Sequence, residues 1–339
     1  MDYTKIKLTI FGAGRWGMNH VKTAASLLPH ENITVVDVNP SSEEKVKTVS
    51  EKINFTTDFD QSFTNEEHRT TNEEPRTTNE ELVIIATPAE THFEIAKKCL
   101  EAGKHVLVEK PITLIASEAE KLLNLSLNLN LRLMVGHVLL FHPAVTKMKE
   151  EIIDGKIGRL QYIYSNRLNL GAIRSEENSL WSFAPHDISV IQYLTDDNPI
   201  DVKAHGGDYV QNGIEDTTLT FLTYPNEVKA HIFVSWLHPF KEQRMVVIGD
   251  KGMFVFEDSA KTEKLKFYKK GFQSVNGNIE KFDSDYEVVD FENKMPLTEE
   301  HKHFYDSVLN NTTPLTDGRH AFEVLKILEQ ATNSLKSSK

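Results

Sequence analysis

The chain of 339 residues is poor in cysteine and in long apolar segments. Its one cysteine, Cys99, excludes an internal disulfide, and its place in the apolar pattern of a predicted helix is typical of a core residue. No apolar run approaches the roughly 18 residues that a membrane helix needs, and we expect neither a membrane span nor a signal peptide. These absences favour a cytoplasmic protein in a reducing compartment, with no membrane partner.

The chain has fewer basic residues than acidic residues. Lysine and arginine total 38 against 50 aspartates and glutamates, which gives a net charge of −12. This balance argues against nonspecific binding to nucleic acid or to anionic membranes, although a few arginines and backbone dipoles could still hold a small anion. The chain has 14 histidines, but His301 and His303 lack a cysteine or acidic partner at zinc-ligand spacing, so no metal site is predicted.

A glycine-rich turn follows the first predicted strand (residues 5–11) and opens a helix that extends to about residue 28. In the segment GAGRWG, Gly12 permits a tight turn, Gly14 lets the backbone approach a pyrophosphate, and Gly17 allows close packing of the helix on the strand. The amino terminus of that helix would face the phosphates. The pattern of strand, glycines and helix predicts a dinucleotide-binding domain of the Rossmann type.

Asp37 lies in the second predicted strand (residues 33–38), about 20 residues beyond Gly17, where an acidic side chain binds the ribose hydroxyls of the cofactor and repels a 2′-phosphate. Because no arginine directly follows Asp37, we expect NAD rather than NADP. The predicted cofactor-binding residues lie in the glycine turn and at the ends of successive strands: Gly12, Gly14, Arg15, Trp16, Gly17, Asp37, Thr87, Pro88, His92, Glu109 and Lys110.

Strands and helices alternate through the rest of the first 140 residues. Further strands are predicted at residues 54–56, 82–87, 105–108 and 132–138, with helices over residues 41–52, 91–102 and 114–125. Ser41 and Glu44 are spaced as a capping box for the first of these helices. The alternation predicts a doubly wound parallel sheet, an NAD-binding domain over residues 1–140.

A polar repeat interrupts this domain. TNEEHRT, TNEEPRT and TNEE follow one another over residues 64–81, with a period of seven but no apolar seam, so a coiled coil is excluded. The repeat is interpreted as a solvated insertion, at the amino ends of the strands and away from the cofactor. A tolerated expansion is favoured over a docking tail.

The pattern changes beyond residue 143. A helix at about residues 144–153 precedes alternating segments at residues 160–168, 202–209, 217–224, 228–236, 244–248 and 253–257. Turn signals between them predict a mostly antiparallel open sheet. A helix is predicted to begin near Pro185, and a last helix covers about residues 319–335. The fold class is therefore α/β, a Rossmann domain followed by an α/β domain over residues 141–339.

Lys110 follows the strand HVLV and a glutamate, and precedes a proline. Ligands of doubly wound sheets bind beyond the carboxyl ends of the strands, where this lysine could reach a substrate. The alternative is a hydrated strand cap. His186 follows Pro185 at the predicted helix start, where the helix dipole would favour a neutral imidazole that can act as a base. The alternative is a packed, hydrogen-bonded histidine.

Four segments, GAGRWG, ATPAETHFEIAKKCLEAGKHVLVEKP, WSFAPHD and PLTDGRHAFEVLKILE, resemble the Gfo/Idh/MocA oxidoreductases. The resemblance covers nearly the whole chain apart from the repeat. It implies that Lys110 and His186 meet at the nicotinamide and the reacting hydroxyl. It also implies a second domain that binds substrate and whose open sheet forms the contact of a homo-oligomer, a dimer or a tetramer.

One position departs from the family pattern. The family commonly has an aspartate four residues before the catalytic histidine, and here that residue is Ser182. Lys110 and His186 must then suffice, or Asp187 substitutes, or the activity is weaker. The candidate catalytic residues are therefore Lys110, His186 and Asp187.

A polar segment leading into the predicted helix suggests the substrate. Arg167 and Arg174 suit phosphate or carboxylate, although surface ion pairs would explain each alone. With Lys110 and His186, the predicted substrate-binding residues are Arg167, Asn169, Arg174, Asn178 and Trp181.

The resemblance is to the nucleotide-sugar branch of the family. It implies oxidation of UDP-N-acetylglucosamine at C3, followed by a pathway aminotransferase, in surface polysaccharide or lipopolysaccharide synthesis. The alternatives are the corresponding glucuronic acid derivative, inositol or a free sugar, and an NAD-binding sensor without catalysis.

Overall fold

The computed structural model describes residues 1–60, 63, 81–171, 174, 175 and 177–337. The chain forms two compact units. Unit 1 comprises Met1–Val138 and Met295–Phe322, and unit 2 comprises Leu139–Lys294 and Glu323–Lys339. The predicted polar repeat lies, except for Glu81, outside the described residues. No described helix has the length and apolarity of a membrane span.

Unit 1 contains a six-stranded sheet in the order β3-β2-β1-β4-β5-β6. All of its pairings are parallel. The strands are β1 Lys7–Phe11, β2 Ile33–Val36, β3 Asn54–Thr56, β4 Glu81–Ile85, β5 His105–Glu109 and β6 Leu133–Gly136. The helices between them are α1 Arg15–Ala25, α2 Ser42–Lys47, α3 His92–Glu101 and α4 Ala116–Asn128.

The strand order of unit 1 reverses between β1 and β4, which makes their carboxyl ends the expected ligand edge. The central strands β4 and β5 are almost wholly buried, which explains their continuous apolar runs. The predicted doubly wound fold is confirmed. The predicted capping box is wrong. The Ser41 side chain makes no capping hydrogen bond to α2, and its hydroxyl donates instead to Oδ1 of the Asn39 side chain.

Unit 2 contains an eight-stranded sheet in the order β14-β13-β12-β11-β7-β10-β9-β8. The strands are β7 Leu160–Leu168, β8 Asp201–Gly207, β9 Thr217–Thr223, β10 Lys229–Ser235, β11 Glu242–Gly249, β12 Met253–Glu257, β13 Leu265–Val275 and β14 Asn278–Val288. Helices α5 (Pro143–Ile153) and α6 (Ser179–Thr195) belong to this unit. Of the seven strand pairings that the described residues form in this sheet, that of β7 with β10 is parallel and the other six are antiparallel, so the mostly antiparallel sheet is confirmed.

The boundary between the units corrects the prediction that residues 141–339 form one domain. Helix α7 (Pro296–Leu309), which the sequence did not predict, packs with α1 in unit 1, and α8 (Gly318–Ser337) begins in that unit. Thr316 also forms two hydrogen bonds with Val135. Its backbone carbonyl oxygen accepts from the Val135 N–H at 2.8 Å, and its hydroxyl donates to the Val135 carbonyl oxygen at 2.7 Å. This segment thus completes the edge of the parallel sheet beside β6.

The predicted helix start at Pro185 is wrong. Helix α6 comprises the 17 residues Ser179–Thr195, and Pro185 lies inside it. Asn178 caps the helix, because its side-chain oxygen accepts the N–H of Trp181 at 3.2 Å. His186 therefore lies in the helix interior, and the argument that the helix dipole keeps its imidazole neutral no longer applies.

Candidate active site

The glycine turn of unit 1 has the shape that a dinucleotide requires. Gly12 has φ +93°, and a Cβ on it would lie 2.7 Å from the Ala86 carbonyl oxygen. A Cβ on Gly17 would lie 2.0 Å from the Gly12 carbonyl oxygen, so backbone packing excludes a side chain at both positions. A Cβ on Gly14 would meet nothing within 4 Å. The space at the amino terminus of α1 is thus open where a pyrophosphate would approach, and the turn fits NAD.

Asp37 lies against this turn. Its carboxylate accepts the backbone N–H of Ala13 at 2.6 Å and that of Asn39 at 2.8 Å. Each oxygen keeps lone-pair capacity, so the carboxylate can also accept ribose hydroxyls, as NAD requires. Arg15 opens α1 directly after the turn.

The ends of β4 and β5 are joined by His92. Its ring nitrogens lie 2.8 Å from the Pro111 carbonyl oxygen and 2.9 Å from the Thr87 carbonyl oxygen, and the residue is buried. Pro88 directly precedes the short 3-10 turn before α3. Because both ring nitrogens of His92 face backbone carbonyl oxygens, its side chain holds these two loops together at the predicted cofactor edge.

Glu109, the last residue of β5, is buried and accepts three N–H groups. One carboxylate oxygen accepts from the Trp16 indole and from His20, whose Nε2 lies 2.8 Å away, and the other accepts from the Lys110 backbone at 3.2 Å. Burial disfavours its ionised form, but the hydrogen bonds of His20 and Trp16 and the charges of His20 and Lys110 hold the pKa of Glu109 below its ordinary value. The carboxylate is therefore ionised and committed to the protein, immediately before Lys110.

A histidine that the sequence did not suggest lies at the same edge. His137 follows β6, is 3% exposed, and packs edge-to-face against His320 with ring centroids 5.5 Å apart. Burial, and then the charges of His320 and Lys110, hold the pKa of His137 well below its ordinary value. The signal that could have identified it is its position directly after a parallel strand, equivalent to that of Lys110 after β5.

In unit 2, Arg167 and Asp187 bind each other. Arg167 donates from Nε at 2.9 Å and from Nη2 at 3.1 Å to the two oxygens of Asp187, and the Ser165 hydroxyl donates to the same carboxylate at 2.7 Å. Asp187 is 1% exposed. Burial disfavours the Arg167 cation, yet the neighbouring Asp187 raises its pKa. Both side chains thus take part in a buried ion pair, which disfavours Asp187 as a base and Arg167 as a substrate ligand.

The other predicted substrate-binding residues also make their contacts within unit 2. Asn178 caps α6 and donates to Glu215 at 2.7 Å, while the Trp181 indole donates to the Thr332 hydroxyl at 2.9 Å. The backbone of Asn169 donates to Ser235 at 3.1 Å. Arg174 is ion-paired with Glu177 at the surface.

His186 is half-buried on α6, and Ser182, one turn earlier, is buried. Lys110 lies in unit 1 and His186 lies in unit 2, and the surroundings of each residue are described within its own unit. Among the described residues, no group of three or more His, Cys, Asp or Glu side chains could hold a metal ion.

Comparison with known proteins assigns the family. Residues 6–137 match the "Oxidoreductase family, NAD-binding Rossmann fold", and residues 145–255 match the "GFO/IDH/MocA C-terminal domain". UDP-N-acetylglucosamine 3-dehydrogenase of Acidithiobacillus ferrooxidans is 33% identical over 127 residues, which are 37% of this chain and only 39% of that protein.

Two longer alignments extend over nearly the whole chain. scyllo-Inositol 2-dehydrogenase (NAD(+)) of Bacillus subtilis is 24% identical over 347 residues, covering 98% of this chain and 95% of that protein. A solved structure of the Acidithiobacillus ferrooxidans enzyme has the same fold, with a TM-score of 0.79 at 22% identity over 97% of both chains. Because the family matches fall in both units, this chain belongs to the Gfo/Idh/MocA family of NAD-dependent oxidoreductases.

Proposed function

We propose that this protein oxidises the C3 hydroxyl of a nucleotide-linked amino sugar such as UDP-N-acetylglucosamine, with NAD as the oxidant. The observation that carries the proposal is the 33% identity to UDP-N-acetylglucosamine 3-dehydrogenase. The ketone product would then be consumed by an aminotransferase in surface polysaccharide or lipopolysaccharide synthesis.

In this proposal, His186 accepts the proton of the sugar hydroxyl. Lys110 donates a hydrogen bond to the oxygen as its negative charge develops. NAD, when bound, accepts the hydride from the carbinol carbon. The position of Lys110 after β5, at the edge where ligands of doubly wound sheets bind, supports its role. His186 is half-buried and so keeps access to solvent.

Arg174 is the arginine that we propose for the diphosphate. Its guanidinium is 52% exposed in the pair with Glu177, and exposed ion pairs contribute only about 0–1 kcal/mol. A diphosphate could therefore displace Glu177. Arg167 is less suited to this role, because it is largely buried and already pairs with Asp187.

A second candidate substrate is a free polyol. The support for it is the alignment with scyllo-inositol 2-dehydrogenase, which covers 98% of this chain, although at 24% identity.

The test is to mix the protein and NAD with UDP-N-acetylglucosamine, its uronic acid counterpart or inositol, and to follow the NADH absorbance with and without an added oxo-acid. NADH formation with the UDP-sugars alone supports the proposal, and formation with inositol alone supports the second candidate. No NADH with any of them, under either condition, overturns both and leaves an NAD-binding sensor.

Substitutions test the assigned roles. Lys110→Met and His186→Asn should each lower kcat by about a hundredfold or more while NAD binding persists. Lys97→Met on α3 and His205→Asn on β8 are exposed controls that should retain activity. Equal loss in test and control variants would contradict the assignment.

We also propose a homo-oligomer, dimeric or tetrameric, through the open face of the unit 2 sheet. Tyr162, Tyr164, Phe221 and His231 form an aromatic cluster on adjacent strands of that face, and Phe221 is 44% exposed. Aromatic surface of this kind is typical of protein interfaces. Phe221→Glu should convert the oligomer to monomers in light scattering, and a wild-type monomer would refute the proposal.

A further inference from the structure

A continuous chain of buried hydrogen bonds leads from Glu109 into unit 1. Glu109 lies 2.8 Å from Nε2 of His20, and Nδ1 of His20 lies 2.8 Å from Nε2 of His301. Nδ1 of His301 in turn lies 3.0 Å from the Tyr305 hydroxyl. His20, His301 and Tyr305 are all 0% exposed. None of these three residues is needed for the chemistry proposed above, and α7 supplies two of them.

The chain of hydrogen bonds ends on the Glu109 carboxylate. Glu109 is ionised and accepts from the Trp16 indole on the same oxygen, so His20 must donate through Nε2. The other ring nitrogen of His20 bonds to Nε2 of His301, and the Tyr305 hydroxyl bonds to Nδ1 of His301. The hydrogen bond that orients Glu109 is thus itself held by two further buried side chains.

The surroundings of Glu109 favour this arrangement. A Cβ on Gly136 would lie 3.0 Å from the Glu109 carboxyl, so β6 leaves room for that side chain only because it has a glycine there. Glu300 on α7 is 0% exposed, and neither of its oxygens has a hydrogen-bond partner among the described residues. Burial, and then the charge of Glu109, raise the pKa of Glu300 well above its ordinary value, so it adds no second negative charge.

We propose that His20, His301 and Tyr305 are positioning residues: their hydrogen bonds orient the Glu109 carboxylate, which in turn holds the backbone of Lys110 in place. The proposal rests on the role of Lys110 proposed above. The titratable groups that face Glu109 are His20 from α1, Glu300 from α7 and its neighbour Lys110. An ionised Glu109 accepts the Lys110 backbone N–H at 3.2 Å in a charge-assisted hydrogen bond, and a protonated Glu109 would accept it more weakly.

The test uses two substitutions of one residue. His301→Leu removes the hydrogen-bond partner of His20, and His301→Gln restores a polar partner of similar reach. In His301→Leu, Glu109 should accept a proton at higher pH, so kcat should fall about tenfold on the acidic side of the pH profile and much less on the alkaline side. His301→Gln should recover most of this loss. Phe304→Leu, a buried control on the same helix, should lower stability without moving the profile.

A second readout does not depend on the sugar. The Trp16 indole N–H donates to Glu109, so its NMR signal reports the ionisation of that carboxylate. The chain has three tryptophans, and Trp16→Phe assigns the signal. The signal should titrate at higher pH in His301→Leu than in the wild type. An unchanged titration overturns the proposal. A shifted titration without any sugar oxidation would refute only the proposed function.

Discussion

Replacement of Asp187 by asparagine should destabilise unit 2 rather than remove a catalytic group. The asparagine keeps the shape of the side chain but leaves the Arg167 guanidinium, 11% exposed, without its counter-ion. It also replaces one of the two oxygens that accept from Arg167 and Ser165 by an N–H donor. The buried site then contains an uncompensated cation and opposed donors.

The magnitude follows from the burial of the pair. Breaking a buried ion pair by removing one partner lowers the free energy of unfolding by about 3–5 kcal/mol. For a domain of this size each kcal/mol corresponds to about 2–4 °C, so the thermal midpoint should fall by about 6–20 °C. Removing both charges with Arg167→Met and Asp187→Leu together should be less harmful than either single change, because no buried charge remains.

Calorimetry of the unit 2 transition provides the assay, and Asp196→Asn provides the control. Asp196 pairs with Lys149 just after the end of α6, but its side chain is 74% exposed, so its loss should change the free energy of unfolding by no more than about 1 kcal/mol. A midpoint for Asp187→Asn equal to that of the control would refute the reasoning. So would a well-folded Asp187→Asn protein without activity, which would restore Asp187 as a catalytic candidate.

Three further predictions concern unit 1. Gly17→Ala should lower stability by about 1–3 kcal/mol or more and weaken NAD binding, because its Cβ would press on the Gly12 carbonyl; Gly14→Ala should weaken NAD binding with little loss of stability, and thermal melts with and without NAD distinguish the two. Glu300 has a folded-state pKa raised above its ordinary value of 4.5, so the wild type loses stability as the pH rises above that value. Glu300→Gln should therefore gain thermal stability relative to wild type as the pH rises above 4.5, and a difference that does not change with pH would contradict this. Asp37→Ser should lower NAD affinity about tenfold and permit NADP to bind, as titration calorimetry can measure; unchanged discrimination would refute the ribose contact.

Most elements of the parallel sheet were predictable because local sequence signals agree with the tertiary structure there. Buried central strands such as β4 and β5 are continuous apolar runs. The glycines of the first turn stand where a side chain would clash with nearby backbone. Helix ends were less accurate. Pro185 suggested a helix start, although Asn178 is the better cap residue and the proline lies within α6.

The hairpin of β13 and β14 and the helix α7 were missed for different reasons. The hairpin is largely exposed and carries many charges, so its strands lack apolar alternation; Asn276 and Gly277, both with positive φ, were the available signal. Helix α7 buries Glu300 and His301 together with Phe304 and Tyr305. Polar residues on its buried face hide the amphipathic pattern by which a helix is identified.

The sequence alone determined the nucleotide-binding turn, the position of Lys110 after β5, and the change from a parallel sheet to a mostly antiparallel one along the chain. Each of these depends on residues that are close together in the chain. Only the tertiary structure decided which polar side chains are engaged with the protein. Arg167 and Asp187 are 20 residues apart, and His20 and His301 are 281 residues apart. Charge and hydrogen-bonding partners depend on distance in space and on burial, and neither can be obtained from the residue types themselves.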